Sequence, residues 1–190
     1  MIDWGAKFEQ GLEWDDWLRR VQQLEREWHE RYENAWLDEE QLGAPIEATR
    51  FVLCVVRDAC VDSAGSVPFI ARACEDAGED IEIRIFEKDK HSDLMDQLLV
   101  DGKRSTPAIA VFDDNWSLIG RWGPRPVGAR ALFESLPEGL SDQEKDKRLN
   151  DWYEADQGRE VLSEFLAVLR GAPPRARTRF SLPVYNEGED

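Results

Sequence analysis

Cys60 stands in the run Asp58-Ala59-Cys60-Val61-Asp62-Ser63, where a continuously apolar stretch gives way to one of helical character. A thiol at such a junction is the side chain of this sequence best placed for nucleophilic chemistry. Unpaired backbone N–H groups and the positive end of the helix dipole favour the thiolate, the attacking form of cysteine. Asp58 and Asp62 act the other way, because a nearby negative charge disfavours ionisation. Ser63, three residues on, supplies no second sulfur. The remaining cysteines do not replace it. Cys54 is six strand residues upstream, roughly 20 Å at about 3.3 Å per residue. Cys74 is fourteen helical residues downstream, roughly 21 Å at about 1.5 Å per residue. Neither reaches Cys60 without unfolding. A strand and helix that return antiparallel instead bring Cys54 and Cys74 to one depth of the core, as small apolar residues, with a disulfide between them the minor alternative.

The elements that hold Cys60 can be read from pattern. Residues 51–56 (Phe-Val-Leu-Cys-Val-Val) predict a central strand covered on both faces. A helix follows over 61–77, with Pro68 inside it, and stops before Gly78. Ile81, Ile83 and Ile85 alternate with polar residues as a second strand, and Ser92 caps a helix over 92–100. Residues 107–112 and 116–119 predict a β-hairpin about the turn 113–115, followed by a stiff loop over 120–126 that contains Pro124 and Pro126. If Asp113 and Trp116 face each other across that turn, Pro107 falls opposite Trp122. Upstream, Trp14, Trp17, Leu18, Val21, Leu24, Trp28, Tyr32 and Trp36 recur at three- and four-residue steps, predicting one amphipathic helix whose Trp stripe packs into the core. Downstream, a helix over 145–170 presents Trp152, Val161, Leu162, Phe165, Leu166 and Leu169. The resulting organisation is a single α/β domain over 1–170, with a helical extension at 12–41, a core at 50–136, a closing helix at 145–170 and an aperiodic tail at 171–190.

Taken together, the apolar strand, Cys60-Val61-Asp62-Ser63, Pro68 and Ser105-Thr106-Pro107 resemble the thioredoxin superfamily. With Gly120-Arg121-Trp122-Gly123-Pro124-Arg125-Pro126 added, the chain is similar to a bacterial thioredoxin-like family with a Trp-Cys-Gly-Asp-Ser type motif and a Trp-Gly-Pro-Arg-Pro loop. Ala59 and Val61 depart from that pattern on either side of the Cys. The resemblance implies a central mixed sheet flanked by helices and a cis-proline at Pro107 placed against the reactive Cys. It also implies a single-cysteine thiol–disulfide oxidoreductase in which Cys60 attacks a protein or small-molecule disulfide. Glutathione or a similar small thiol would act as co-substrate. Asp62 would orient a proton, Thr106 and Pro107 would hold the substrate backbone, Trp122 would wall the site, and Arg121 or Arg125 would attract a carboxylate. The alternatives are a non-catalytic adaptor of the same fold, and an iron–sulfur carrier resembling single-cysteine glutaredoxins, which Val61 and Asp62 suit badly.

Composition narrows the partners. With 40 acidic against 24 basic residues and a formal charge of −16, the surface repels phosphate backbones and anionic membranes, so neither nucleic acid nor membrane is expected. No stretch approaches a membrane span, and no secretory signal opens the sequence, which points to a cytoplasmic protein with reduced thiols. His29 and His91 lack a second metal ligand at helical or loop spacing, so no metal site is expected. Trp-rich helices leave a homodimer as a further expectation.

Overall fold

The uninterrupted apolar run of β1 (Arg50–Val56) requires cover on both faces, and the strand lies inside the sheet. The computed structural model describes residues 2–37 and 39–172. Its sheet has the order β2-β1-β3-β4. β2 (Ile81–Glu87) runs parallel to β1, with Val56 beside Glu87. β3 (Ala108–Phe112) is antiparallel to β1, and β4 (Leu118–Trp122) is antiparallel to β3. Helices α1 (Trp4–Phe8), α2 (Trp14–Leu18), α3 (Glu25–Glu33) and α4 (Glu39–Leu42) precede β1. α5 (Val61–Asp76) joins β1 to β2, and α6 (Ser92–Gln97) precedes β3. After β4 come α7 (Val127–Ser135), α8 (Asp142–Asp156) and α9 (Arg159–Leu169).

Alternation along the strands sorts the core into two layers. Val52, Cys54, Val56, Ile109 and Val111 face α5, α9 and the tryptophans of α2 and α3. Leu53, Val55, Phe86, Ala110 and Phe112 face Phe8 of α1 and Leu94 and Met95 of α6. Outside the sheet, Leu12 exchanges two backbone hydrogen bonds with Ile85, so the N-terminal extension covers part of the β2 edge. No described helix is long and apolar enough to cross a membrane.

α5 is buried on every side from residue 61 to 71. Its small residues allow this, since a Cβ on Gly65 would stand 2.4 Å from the Tyr153 ring of α8. Pro68 supplies no N–H to the Ala64 carbonyl one turn earlier. Arg31 of α3 fills the gap, donating from Nη1 to Ala64 O at 3.1 Å and from Nη2 to Asn150 Oδ1 and Glu154 Oε1 of α8 at 2.8 and 3.1 Å.

Several expectations are corrected. The single helix over 14–36 is interrupted between α2 and α3, where Leu24 takes a left-handed φ of 51°. The break turns the backbone N–H groups of Gln22 and Gln23 toward the Asp58 carboxylate, and that tertiary bond overrides the helical periodicity. Trp14, Trp17 and Trp28 are buried in this chain's own core, whereas Trp36 lies outside any helix and is 82% exposed. The helix over 145–170 is two helices meeting at Gly158, φ 77°, where a Cβ would stand 2.4 Å from the Phe69 ring. The hairpin is longer than expected. Asp113 Oδ1 accepts from the backbone of both Asn115 and Ser117, and the Trp116 ring stacks on Phe51 at 4.4 Å. Residues 120–122 therefore belong to β4, and Ile109 rather than Pro107 lies opposite Trp122. Helix α7, unmarked in the sequence pattern, follows Pro126 directly. The helix expected over 92–100 ends at Gln97, and the tail beyond Ala172 lies outside the described residues.

Replacing Arg31 by Met should lower unfolding stability by about 2–3 kcal/mol, because the buried Ala64 carbonyl loses a charged donor. Adding Pro68→Ala in that background restores a backbone N–H and should recover about 1 kcal/mol or more. Urea unfolding of the two variants measures both effects, and a double variant no more stable than Arg31→Met would refute the assignment.

Candidate active site

Cys60 is the N-cap of α5, with extended backbone (φ −88°, ψ 116°), and its carbonyl accepts the first helical hydrogen bond from Ala64 N. The thiol is partly exposed and donates from Sγ to Thr106 O at 3.3 Å. That bond ties the head of the helix to the loop that enters β3. The Thr106–Pro107 and Gly123–Pro124 peptide bonds are cis. The two proline loops touch: Gly123 has a φ of 120°, and a Cβ there would stand 2.2 Å from Pro107 O. A residue without a side chain is required at that contact.

Asp62 is drawn inward at the first turn of α5. Its carboxylate receives Arg125 at two oxygens, Nη2 to Oδ2 at 2.7 Å and Nε to Oδ1 at 2.8 Å, and the Tyr153 hydroxyl donates to Oδ1 at 3.0 Å. Burial pushes the Asp62 carboxyl above the ordinary carboxylate range; Arg125 and Tyr153 oppose this and Asp146 adds to it. Burial and the Asp62 charge likewise push the Tyr153 phenol up. The Arg125 guanidinium also lies 3.9 Å from the centre of the Phe133 ring. Arg125 is thus brought to the site, but its fork is engaged by Asp62 rather than left open to a carboxylate.

Glu164 of α9 fixes the loop that carries Arg125. One of its oxygens accepts from Trp122 Nε1 at 3.0 Å and the other from Val127 N at 2.8 Å, while Glu160 accepts from Gly128 N at 3.0 Å. Two acidic side chains at the start of α7 suit the positive end of that helix. Trp122, Arg121 and Ser63 are all buried. Trp122 is buried in the layer of α5 and α9, pairing across the hairpin with Ile109 and not with Pro107. Arg121 is buried opposite Ala110, which belongs to the other layer, so strand alternation separates it from its neighbour Trp122. Ser63 is fully buried, and its hydroxyl has no hydrogen-bond partner among the described residues. Cys54 and Cys74 are free and buried in the same core layer, and burial pushes both thiols up. Tyr153 and Glu164 were not singled out in the sequence, where each is one more member of the helix predicted over 145–170, and Phe133 lies in the unmarked α7.

Removing Arg125 should expose the cost of the buried charge. Arg125→Ala leaves Asp62 without its cation and should cost about 3–5 kcal/mol. Since the folded state holds the Asp62 proton more tightly than the unfolded chain, this destabilisation should be smallest at acid pH and grow as pH rises above the free-carboxylate value near 3.8. Asp62→Asn in the same background should recover most of the loss and flatten the pH dependence. Unfolding curves over a pH series check this, and a double variant as unstable as Arg125→Ala would refute it.

A family model described as thioredoxin matches residues 11–143. No curated protein matches the chain. Among solved structures, a protein of unknown function from Pseudomonas aeruginosa, PA1234, is 20% identical and superposes with a TM-score of 0.68 over 90% of this chain and 99% of its own. An HIV epitope scaffold is 19% identical, with a TM-score of 0.67 over 90% of this chain and 100% of its own. These two likenesses concern the fold, a mixed four-stranded sheet flanked by helices, with Cys60 at the head of the helix after its central strand. On the match over 11–143, the chain belongs to the thioredoxin family.

Proposed function

We propose that the protein is a single-cysteine thiol–disulfide oxidoreductase acting through Cys60. The observation that carries this reading is the partly exposed Cys60 thiol at the N-cap of α5, hydrogen-bonded to Thr106 O, while both other cysteines are buried. The Cys60 thiolate attacks one sulfur of a mixed disulfide. A bond forms between the two sulfurs, the old S–S bond breaks, and the released thiolate takes up a proton. A small thiol such as glutathione then attacks the sulfur joined to Cys60, leaving as a small-molecule disulfide and returning Cys60 as thiolate. A second small thiol then exchanges with that small-molecule disulfide and releases the remaining substrate thiol, so that two small thiols are oxidised for each disulfide reduced. Thr106 and Pro107 hold the substrate backbone beside the thiol. Asp62 acts on Cys60 as a positioning residue, anchoring the first turn of α5 through Arg125 and Tyr153. Ser63 retains a hydroxyl where a second sulfur would compete with the external thiol.

A non-catalytic adaptor is the second reading, and the exposure of Trp36, which provides an apolar contact away from Cys60, favours it. The two are separated by a glutathione-coupled assay with hydroxyethyl disulfide. The wild-type protein should turn over, and Cys60→Ser should lower the rate at least about a hundredfold, as expected for loss of a covalent nucleophile. Insulin reduction driven by dithiothreitol should stay close to the uncatalysed rate in both. Equal rates for wild type and Cys60→Ser with hydroxyethyl disulfide would overturn the oxidoreductase reading in favour of the adaptor.

A further inference from the structure

Beside the Cys60 loop, the parallel strands β1 and β2 end together at Val56 and Glu87, and the chain beyond each turns outward. The segment between α2 and α3 arches over these ends, held to them by the bonds from Gln22 N and Gln23 N to Asp58 and by Trp28 Nε1 to Asp58 O at 3.0 Å. A cleft of about 290 Å³ remains beneath the arch, walled by Trp17, Arg20, Arg57, Asp58 and Lys88 among others. Its volume lies at the small end for ligand pockets, which suits a small molecule and excludes a protein segment of any length.

The cleft shares both of its neighbouring loops with the thiol. Asp58 is two residues before Cys60. On the other side, Lys88 Nζ donates to Arg104 O at 2.6 Å, two residues before the Thr106 carbonyl that receives the Cys60 thiol. Charge within the cleft is uneven. Arg57 pairs with Asp89 and Lys90 with Glu87, each at 2.8 Å, so these cations are neutralised locally. The Asp58 carboxylate is occupied by the two backbone N–H groups of the arch. Lys88 is bonded only to a neutral carbonyl, and among the described residues no acid pairs with it or with the exposed Arg20. On a chain of net charge −16, the cleft lining carries a net charge of +1, with Arg20, Arg57, Lys88 and Lys90 against the carboxylates of Asp58, Glu87 and Asp89.

We propose that this cleft binds the carboxylate-bearing end of a small thiol or of its disulfide, with Arg20 and Lys88 as the anion contacts, and so delivers the ligand's sulfur to Cys60. The inference rests on Cys60 being the reacting thiol and names the class of co-substrate it takes. Carboxylates fit better than polyphosphate, since the two cations come from separate elements and no glycine-rich backbone cradle lines the cleft.

Two measurements on the full chain separate this inference from the reading it rests on. The first compares mixed-disulfide formation at Cys60, followed by intact mass, for three probes: glutathione disulfide, neutral hydroxyethyl disulfide and cationic cystamine. Glutathione disulfide should gain on hydroxyethyl disulfide by about three- to tenfold per anion contact. The gain should shrink with added salt and fall by a similar factor in each of Arg20→Gln and Lys88→Gln, with the hydroxyethyl disulfide rate unchanged. The second titrates unreactive S-methylglutathione into the Cys60→Ser variant and follows backbone amide shifts. Shifts should centre on residues 20–22, 57–58 and 87–90 and disappear when Arg20→Gln and Lys88→Gln are combined. Binding there with an inert Cys60 in the wild type would retain the cleft and remove the oxidoreductase. Equal reactivity toward all three disulfides, with no shifts in the cleft, would retain the oxidoreductase and overturn the cleft.

Discussion

The carbonyl of Ala64 loses its helical partner to Pro68, and the guanidinium of Arg31 takes that partner's place. An unpaired buried carbonyl is costly, so a proline one turn farther along α5 obliges something outside the helix to supply a donor. Because Arg31 reaches Asn150 and Glu154 of α8 with Nη2, the same side chain ties α3, α5 and α8 together. With those helices in place the outer face of α5 is covered as fully as its inner face, and Cys60 is left accessible only from the helix head. The helical additions are therefore part of the site's architecture.

A second buried charge stands in a different relation to its neighbours. Asp62 has a bidentate cation and a phenol, yet burial still raises its carboxyl above the ordinary range. Its partners come from two separate places in the chain, the loop after β4 and α8. Such a pair contributes little net stability over an apolar equivalent, but it costs heavily when one member is missing. What it supplies is register: the proline loop cannot slide along α5 without stranding a charge. Glu164 holds the far end of that loop through both of its oxygens, so Arg125 is fixed at its tip and at its base.

The parts of this arrangement that were legible in the sequence are those encoded over short distances. The apolar run of β1, the alternation of Ile81, Ile83 and Ile85, and the position of Cys60 before a helix each follow from local periodicity, and all three are where the pattern puts them. Where the sequence misled, a tertiary bond had overridden a local preference. The periodicity of residues 14–36 reads through a break that exists to satisfy Asp58, some 35 residues later. The hairpin register depended on a turn whose length is set by the Asp113 side chain. Tyr153 and Glu164 carried no local mark, because an ordinary amphipathic helix explains both until the residues they bond are known.

The bond between Arg31 and α8 has a consequence for the order of events during synthesis. Its two ends are separated by 123 positions, and α8 ends 80 residues after α5. At about 5–20 residues per second, the ribosome delivers α8 roughly 4–16 seconds after α5 has been made. During that interval α3 is already present and can shield one flank of the all-buried helix, while the flank meant for Tyr153 has nothing against it. The small side chains of Ala64, Gly65 and Ser66 make that waiting surface shallow and weakly apolar, so the residues that later admit an aromatic ring also keep the unfinished chain from offering an adhesive face.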